Sequence, residues 1–77
     1  MFDLFISETC PYCRKVMDYF ENNNIKYNKR DVSEPENLNM LLKLGGMAQV
    51  PFLDDAKNGI SMYESEDIIN YVKNNRG

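Results

Sequence analysis

Phe2-Asp3-Leu4-Phe5-Ile6-Ser7-Glu8-Thr9-Cys10-Pro11-Tyr12-Cys13 decides the fold. The run from Phe2 to Ser7 reads as a strand, and Cys13, Val16, Met17 and Phe20 then follow at the i, i+3, i+4, i+7 spacing of one buried helix face. The cysteine pair therefore sits at a strand-to-helix junction. Pro11 suits the first helical turn, where its missing N–H would have had no intrahelical partner, so Cys10 becomes the natural N-cap. Its sulfur faces free backbone N–H groups, and these donors with the positive end of the helix dipole favour a thiolate, the species that attacks a disulfide. Cys13, one turn further in, is expected to be the more buried, resolving thiol. A zinc site normally takes four ligands, and with no His and no third Cys it would need a second chain, so the metal expectation is none.

Working outward, Glu21-Asn22-Asn23-Asn24 ends the helical periodicity, and Ile25 to Val32 reads as a second strand. Ser33-Glu34-Pro35-Glu36 has the capping-box pattern of a Ser with a Glu three residues on, with Leu38, Leu41 and Leu42 as the apolar face of a second helix closed by Gly45-Gly46. Val50 to Leu53 reads as a third strand, Asp54 to Gly59 as a hairpin turn and Ile60 to Tyr63 as a fourth strand. Ser65, Ile68, Ile69 and Val72 define one face of a last helix, whose end is marked by Asn74, Asn75 and Gly77. The order βαβαββα predicts an α/β domain. Its first two strands, joined by a crossover helix, are expected to be parallel and the last two to form an antiparallel hairpin, giving a mixed four-stranded sheet flanked by helices.

The 77 residues are expected to form a single domain, 1–77, near the size where one core is only marginally sufficient. An apolar fraction of 43% with four Phe and five Tyr argues for a packed core rather than disorder. The net charge of −3, with no basic run along one predicted face, argues against nucleic acid as a partner. No apolar stretch is long enough to span a membrane and no signal peptide is visible, so no membrane partner and a cytoplasmic location are expected. In that compartment a disulfide is transient and catalytic rather than structural.

Three separated segments together resemble the glutaredoxins, a branch of the thioredoxin fold, from Met1 to nearly the end of the chain. Glu8-Thr9-Cys10-Pro11-Tyr12-Cys13 is similar to the dithiol glutaredoxin active site. Gln49-Val50-Pro51 is similar to the family's Thr-Val-Pro segment, in which the proline is cis and the preceding backbone pairs with the glutathione cysteine. Tyr63-Glu64-Ser65-Glu66-Asp67-Ile68-Ile69 resembles the Glu-Ser helix start of the glutathione S-transferase N-terminal domain and of glutaredoxins related to it. The resemblance implies a thioredoxin-like (glutaredoxin) fold and a monomeric thiol-disulfide oxidoreductase that reduces protein disulfides and glutathionylated thiols. Catalysis would rest on Cys10 and Cys13. Glutathione would be the co-substrate, held by Tyr12, Gln49, Val50, Pro51, Glu64, Ser65 and Glu66, with no other cofactor bound. The residues themselves fit that role at the last helix: its free N–H groups and the Ser65 hydroxyl suit the α-carboxylate of a γ-glutamyl group, while Glu64, Glu66 or Asp67 can hold its ammonium.

The chain also departs from that pattern. Many glutaredoxins place a Lys three residues before the first cysteine, where this chain has Ser7, and Glu8 adds a negative charge that opposes a thiolate. Arg14 and Lys43 are candidate substitutes for the missing cation. The Gly-Gly that commonly precedes the last helix is replaced by Tyr63-Glu64. Two alternatives stand beside the glutaredoxin reading: a thioredoxin-like reductant served by a reductase, against which Pro-Tyr rather than Gly-Pro lies between the cysteines, and a glutathione-ligated iron–sulfur scaffold, against which a proline directly follows Cys10.

Overall fold

The computed structural model describes residues 1–75, so Gly77 lies outside the described residues. The elements run β1 (Phe2–Ile6), α1 (Pro11–Asn22), β2 (Tyr27–Asp31), α2 (Pro35–Gly45), β3 (Phe52–Asp55), β4 (Ile60–Met62) and α3 (Ser65–Asn74). The sheet order is β2-β1-β3-β4. β1 pairs parallel with β2, Phe2 opposite Tyr27, and antiparallel with β3, Leu4 opposite Leu53; β3 and β4 form the antiparallel hairpin. This is the mixed four-stranded sheet that the sequence pattern predicts, in the thioredoxin-like arrangement that the resemblance implies.

Alternation along β1 divides the core between the two faces of the sheet. Phe2, Leu4 and Ile6 join Cys13, Val16, Met17 and Phe20 of α1, Leu53 of β3, and Ile68 and Val72 of α3 in one cluster. Phe5 points the other way and packs with Phe52 and Leu41 of α2. All four apolar positions of the α1 stripe are buried. In α2 only Leu41 is fully buried, whereas Leu38 is partly buried and Leu42 is 41% exposed, so the expected three-leucine face is narrower than its spacing suggested.

Three local expectations are corrected. Ser33 does not cap α2: Asp31 Oδ1 accepts the Ser33 N–H at 2.9 Å, which draws the chain into a turn, and Glu34 becomes the N-cap with no side-chain bond before Pro35. The third strand starts two residues later than expected, at Phe52, because Val50 and Pro51 belong to the loop after Gly46. Asp55, expected in the hairpin turn, instead ends β3 as a buried carboxylate that accepts bonds from Tyr71 Oη at 2.6 Å and Asn58 Nδ2 at 2.8 Å.

Candidate functional site

Cys10 is the N-cap of α1, with extended backbone at φ −93° and ψ 116°. The turn that delivers it is closed by its own N–H donating to Ser7 O at 3.1 Å, and its carbonyl starts the helix by accepting from Arg14 N–H at 3.1 Å. Its sulfur accepts the Cys13 N–H at 3.3 Å. The capping geometry read from Pro11 is thus present, with sulfur in the place usually taken by oxygen. Cys10 is partly exposed while Cys13 is wholly buried, and both thiols are free. Burial pushes the Cys13 thiol up to about 12; a backbone hydrogen bond with Ser7 works against this, and the adjacent Cys10 sulfur adds to it. One sulfur of the pair can therefore meet a solvent-borne disulfide, while the other holds its proton behind it.

A cleft of about 410 Å³ is lined by Tyr12, Lys15, Gln49, Val50, Pro51, Glu64, Ser65 and Glu66. Of the residues singled out in the sequence for glutathione, Tyr12, Gln49, Val50, Pro51, Glu64, Ser65 and Glu66 lie on this lining, brought there from three separate segments, whereas Asp67 does not. Tyr12, 64% exposed, leads from the cysteine pair into the cleft. The Val50-Pro51 bond is cis. On the opposite wall α3 begins at Ser65; its first intrahelical bond runs from Ile68 N–H to Glu64 O at 3.0 Å, leaving the first three helical N–H groups without an intrahelical acceptor. Ser65 is the first helical residue rather than the cap: Glu64 takes the cap position, with φ +65° and no capping side-chain bond.

Tyr63 joins the two walls. Its hydroxyl accepts the Met47 N–H at 3.1 Å and donates to Met47 O at 3.0 Å, tying the loop that carries Gln49, Val50 and Pro51 to the segment that carries Glu64 and Ser65. Its ring packs on Phe52 with centroids 4.6 Å apart. Gly45 makes room for that ring: a Cβ there would lie 2.8 Å from Tyr63 Cζ and 2.9 Å from Phe52 Cε1, and closer still to the Tyr63 hydroxyl. Tyr63 replaces a common Gly in the sequence pattern, and this bracing is what the replacement does.

The charges near the site differ from the sequence expectation. Glu8, read as opposing a thiolate, is paired with Lys29 at 3.0 Å, so its charge is partly offset. Arg14 turns along its own helix toward Asp18 at 4.0 Å, and Lys43 sits in the last turn of α2; neither lines the cleft. The cation on the lining is Lys15, which sequence reasoning missed, and its ammonium bonds Glu66 Oε1. Lys15 reads as an ordinary exposed helix position, and only the packing of α1 beside α3 gives it a place in the site. Among the described residues, no three His, Cys, Asp or Glu side chains are grouped to hold a metal, and no helix is long and apolar enough to cross a membrane.

Fold and cysteine pair together define a thioredoxin-like domain. The chain belongs to the family of the glutathione S-transferase N-terminal domain, which matches residues 4–77. No curated protein sequence matches it. Among solved structures it is similar to glutaredoxin 2 of Salmonella typhimurium in complex with glutathione, at 27% identity and a TM-score of 0.79, covering 96% of this chain and 33% of that one. Human glutathione S-transferase T1-1 matches at 19% identity and a TM-score of 0.79, with 96% and 31% covered. A thioredoxin-like protein matches at 20% identity and a TM-score of 0.81, with 96% and 97% covered. The chain thus spans about a third of the glutaredoxin 2 and transferase structures and nearly all of the thioredoxin-like protein.

Proposed function

We propose that this chain is a glutathione-dependent thiol-disulfide oxidoreductase of the glutaredoxin type, acting on disulfides and glutathionylated thiols of other proteins. The observation that carries the reading is the asymmetry of the cysteine pair, a partly exposed Cys10 whose sulfur caps α1 and a buried, proton-holding Cys13, with Tyr12 between them on the lining of the cleft it shares with Gln49-Val50-Pro51 and Glu64-Ser65. The family match and the likeness to a glutathione-bound glutaredoxin support glutathione as the small thiol.

In this reaction the Cys10 thiolate attacks the glutathione sulfur of a mixed disulfide, the protein thiolate leaves, and Cys10 is joined to glutathione. A second glutathione thiolate then attacks that glutathione sulfur, releasing glutathione disulfide and regenerating the Cys10 thiolate. The alternative second step, attack by Cys13, must first remove a proton held up to about 12. Burial is the largest cause of that shift, so the Cys13 route needs a base to take this proton before the intramolecular disulfide can close. In the bound state Tyr12 would cover the thiol end, the Val50 backbone would pair with the cysteine unit of glutathione, and Glu64, Ser65 and Glu66 would receive its γ-glutamyl end, with Gln49 beside them.

Turnover of a glutathione mixed disulfide in the presence of glutathione and glutathione reductase tests this reading, run beside the same assay with thioredoxin reductase as the electron source. Turnover with glutathione alone is expected. Turnover only with thioredoxin reductase would replace the glutaredoxin reading by that of a thioredoxin-like reductant.

A further inference from the structure

We propose that Lys15, held in place by Glu66, is a ligand-binding and specificity residue of the cleft, which receives the α-carboxylate of the γ-glutamyl group together with the start of α3. This rests on the glutathione reading above and names which part of the ligand the cleft selects. Three observations carry it. Lys15 lines the cleft and its ammonium is bonded to Glu66, the second residue of α3, which fixes the cation beside the helix start. Ser65, 8% exposed and on the same lining, has a hydroxyl with no hydrogen-bond partner among the described residues. The lining carries the carboxylates of Glu64 and Glu66 against the single ammonium of Lys15.

The charge balance shows why a cation is needed there. A helix N-terminus presents about half an elementary positive charge, which does not outweigh two full carboxylates facing the same space. Lys15 offsets one of the two carboxylates, which leaves the helix end for the ligand carboxylate and the remaining Glu for the ligand ammonium. The ammonium has three donors and Glu66 takes one, so two remain for a ligand oxygen. The pair is solvent-exposed on both sides, 52% and 69%, and such pairs contribute little to folding, so replacing Lys15 is expected to leave the fold intact. Because Glu66 is engaged with Lys15, the ligand ammonium falls to Glu64, whose carboxylate has no partner among the described residues.

The cleft would then read the α-amino acid end of the ligand by two opposite contacts, and these separate experimentally. The probes are three unreactive thioethers: S-methylglutathione, its glutaryl analogue, which keeps the carboxylate and lacks the ammonium, and its 4-aminobutyryl analogue, which keeps the ammonium and lacks the carboxylate. Binding to the reduced protein is measured by titration calorimetry. Lys15→Gln is expected to weaken S-methylglutathione and the glutaryl analogue about ten-fold, the loss of one charge-assisted contact, and to leave the 4-aminobutyryl analogue unchanged. Lys15→Arg is expected to retain most of the wild-type affinity for all three. A Lys15→Gln effect equal on all three probes, or absent from all three, would overturn the proposal while leaving the glutathione reading intact. Failure of the wild-type protein to bind S-methylglutathione would remove both.

Discussion

Gly45→Ala sets two effects of opposite sign against each other. Gly45 is the last residue of α2, and alanine there would ordinarily gain up to about 1 kcal/mol of helix propensity. The added methyl, however, would meet the Tyr63 ring at 2.8 Å and Phe52 Cε1 at 2.9 Å. Phe52 is 1% exposed and packed on Phe5 with centroids 5.7 Å apart, so it cannot withdraw. Tyr63 can, but only by giving up both hydrogen bonds to Met47. Overpacking of this kind costs about 1–3 kcal/mol, and two exposed hydrogen bonds at the weak end of their range add about 1 kcal/mol. The clash wins, with a net destabilisation of about 2 kcal/mol, equivalent to a fall of about 8–16 °C in melting temperature for a domain of this size. Thermal melts followed by circular dichroism read the first effect, and hydrogen exchange at the Met47 amide reads the second. In the double variant Gly45→Ala/Tyr63→Phe the cost should be less than the sum of the single costs, because the hydroxyl that is closest to the new methyl is already gone. A Gly45→Ala protein that melts within about 2 °C of the wild type with its Met47 amide still protected, or strictly additive single costs, would refute the idea that Tyr63 braces the cleft.

Cys10→Ser is expected to abolish turnover of glutathione mixed disulfides, whereas Cys13→Ser should retain it and lose only steps that need both protein thiols; coupled assays on both variants decide this, and the opposite result would reverse the roles of the two cysteines. In Cys10→Ser the remaining Cys13 thiol should show no ultraviolet thiolate band below about pH 10, because the burial that chiefly raises it remains, and a band appearing near the ordinary thiol range would show that Cys13 is wetter than its surroundings suggest. Tyr71→Phe removes the main contact that holds the Asp55 carboxyl below its usual range. A depressed carboxylate stabilises the fold above its unfolded value, near pH 4, and that contribution is lost as pH falls through the lower folded value. The variant should therefore melt lower than the wild type at neutral pH, with the gap narrowing in acid, and a gap independent of pH would show that the two groups are not coupled.

The order of elements was legible because local chemistry and buried faces agree. The α1 stripe of Cys13, Val16, Met17 and Phe20, with Pro11 placing Cys10 at the cap, corresponds to the structure residue for residue. What failed was decided by competition between neighbours. Ser33 carries the capping-box signature, but Asp31 two residues earlier takes its N–H, and Pro35 fits the first helical position only when the cap is Glu34. Val50 looks like a strand residue by composition, yet the ladder with β1 begins at Phe52, opposite Phe5. Asp55 looks like a turn residue until Tyr71, sixteen residues away, supplies the bond that lets its carboxylate be buried. Lys15 and Tyr63 were illegible as site residues for the same reason: their contacts join segments far apart in sequence, and no periodicity records them.

The sheet is open on both sides, and each margin is closed to a further strand by different means. β2, on one margin, carries Asn28, Lys29 and Arg30 in succession, with Lys29 reaching to Glu8 and both Asn28 and Arg30 reaching to Asp3 on the neighbouring strand. A strand laid against that margin would have to approach a row of polar, largely solvated side chains. β4, on the other, is only three residues long before the chain turns into Tyr63 and α3. Such blunted margins are poor templates for the edge-to-edge joining that leads to aggregation. In a domain with so small a core, the sheet that supports the cleft thus offers neither edge to a second chain.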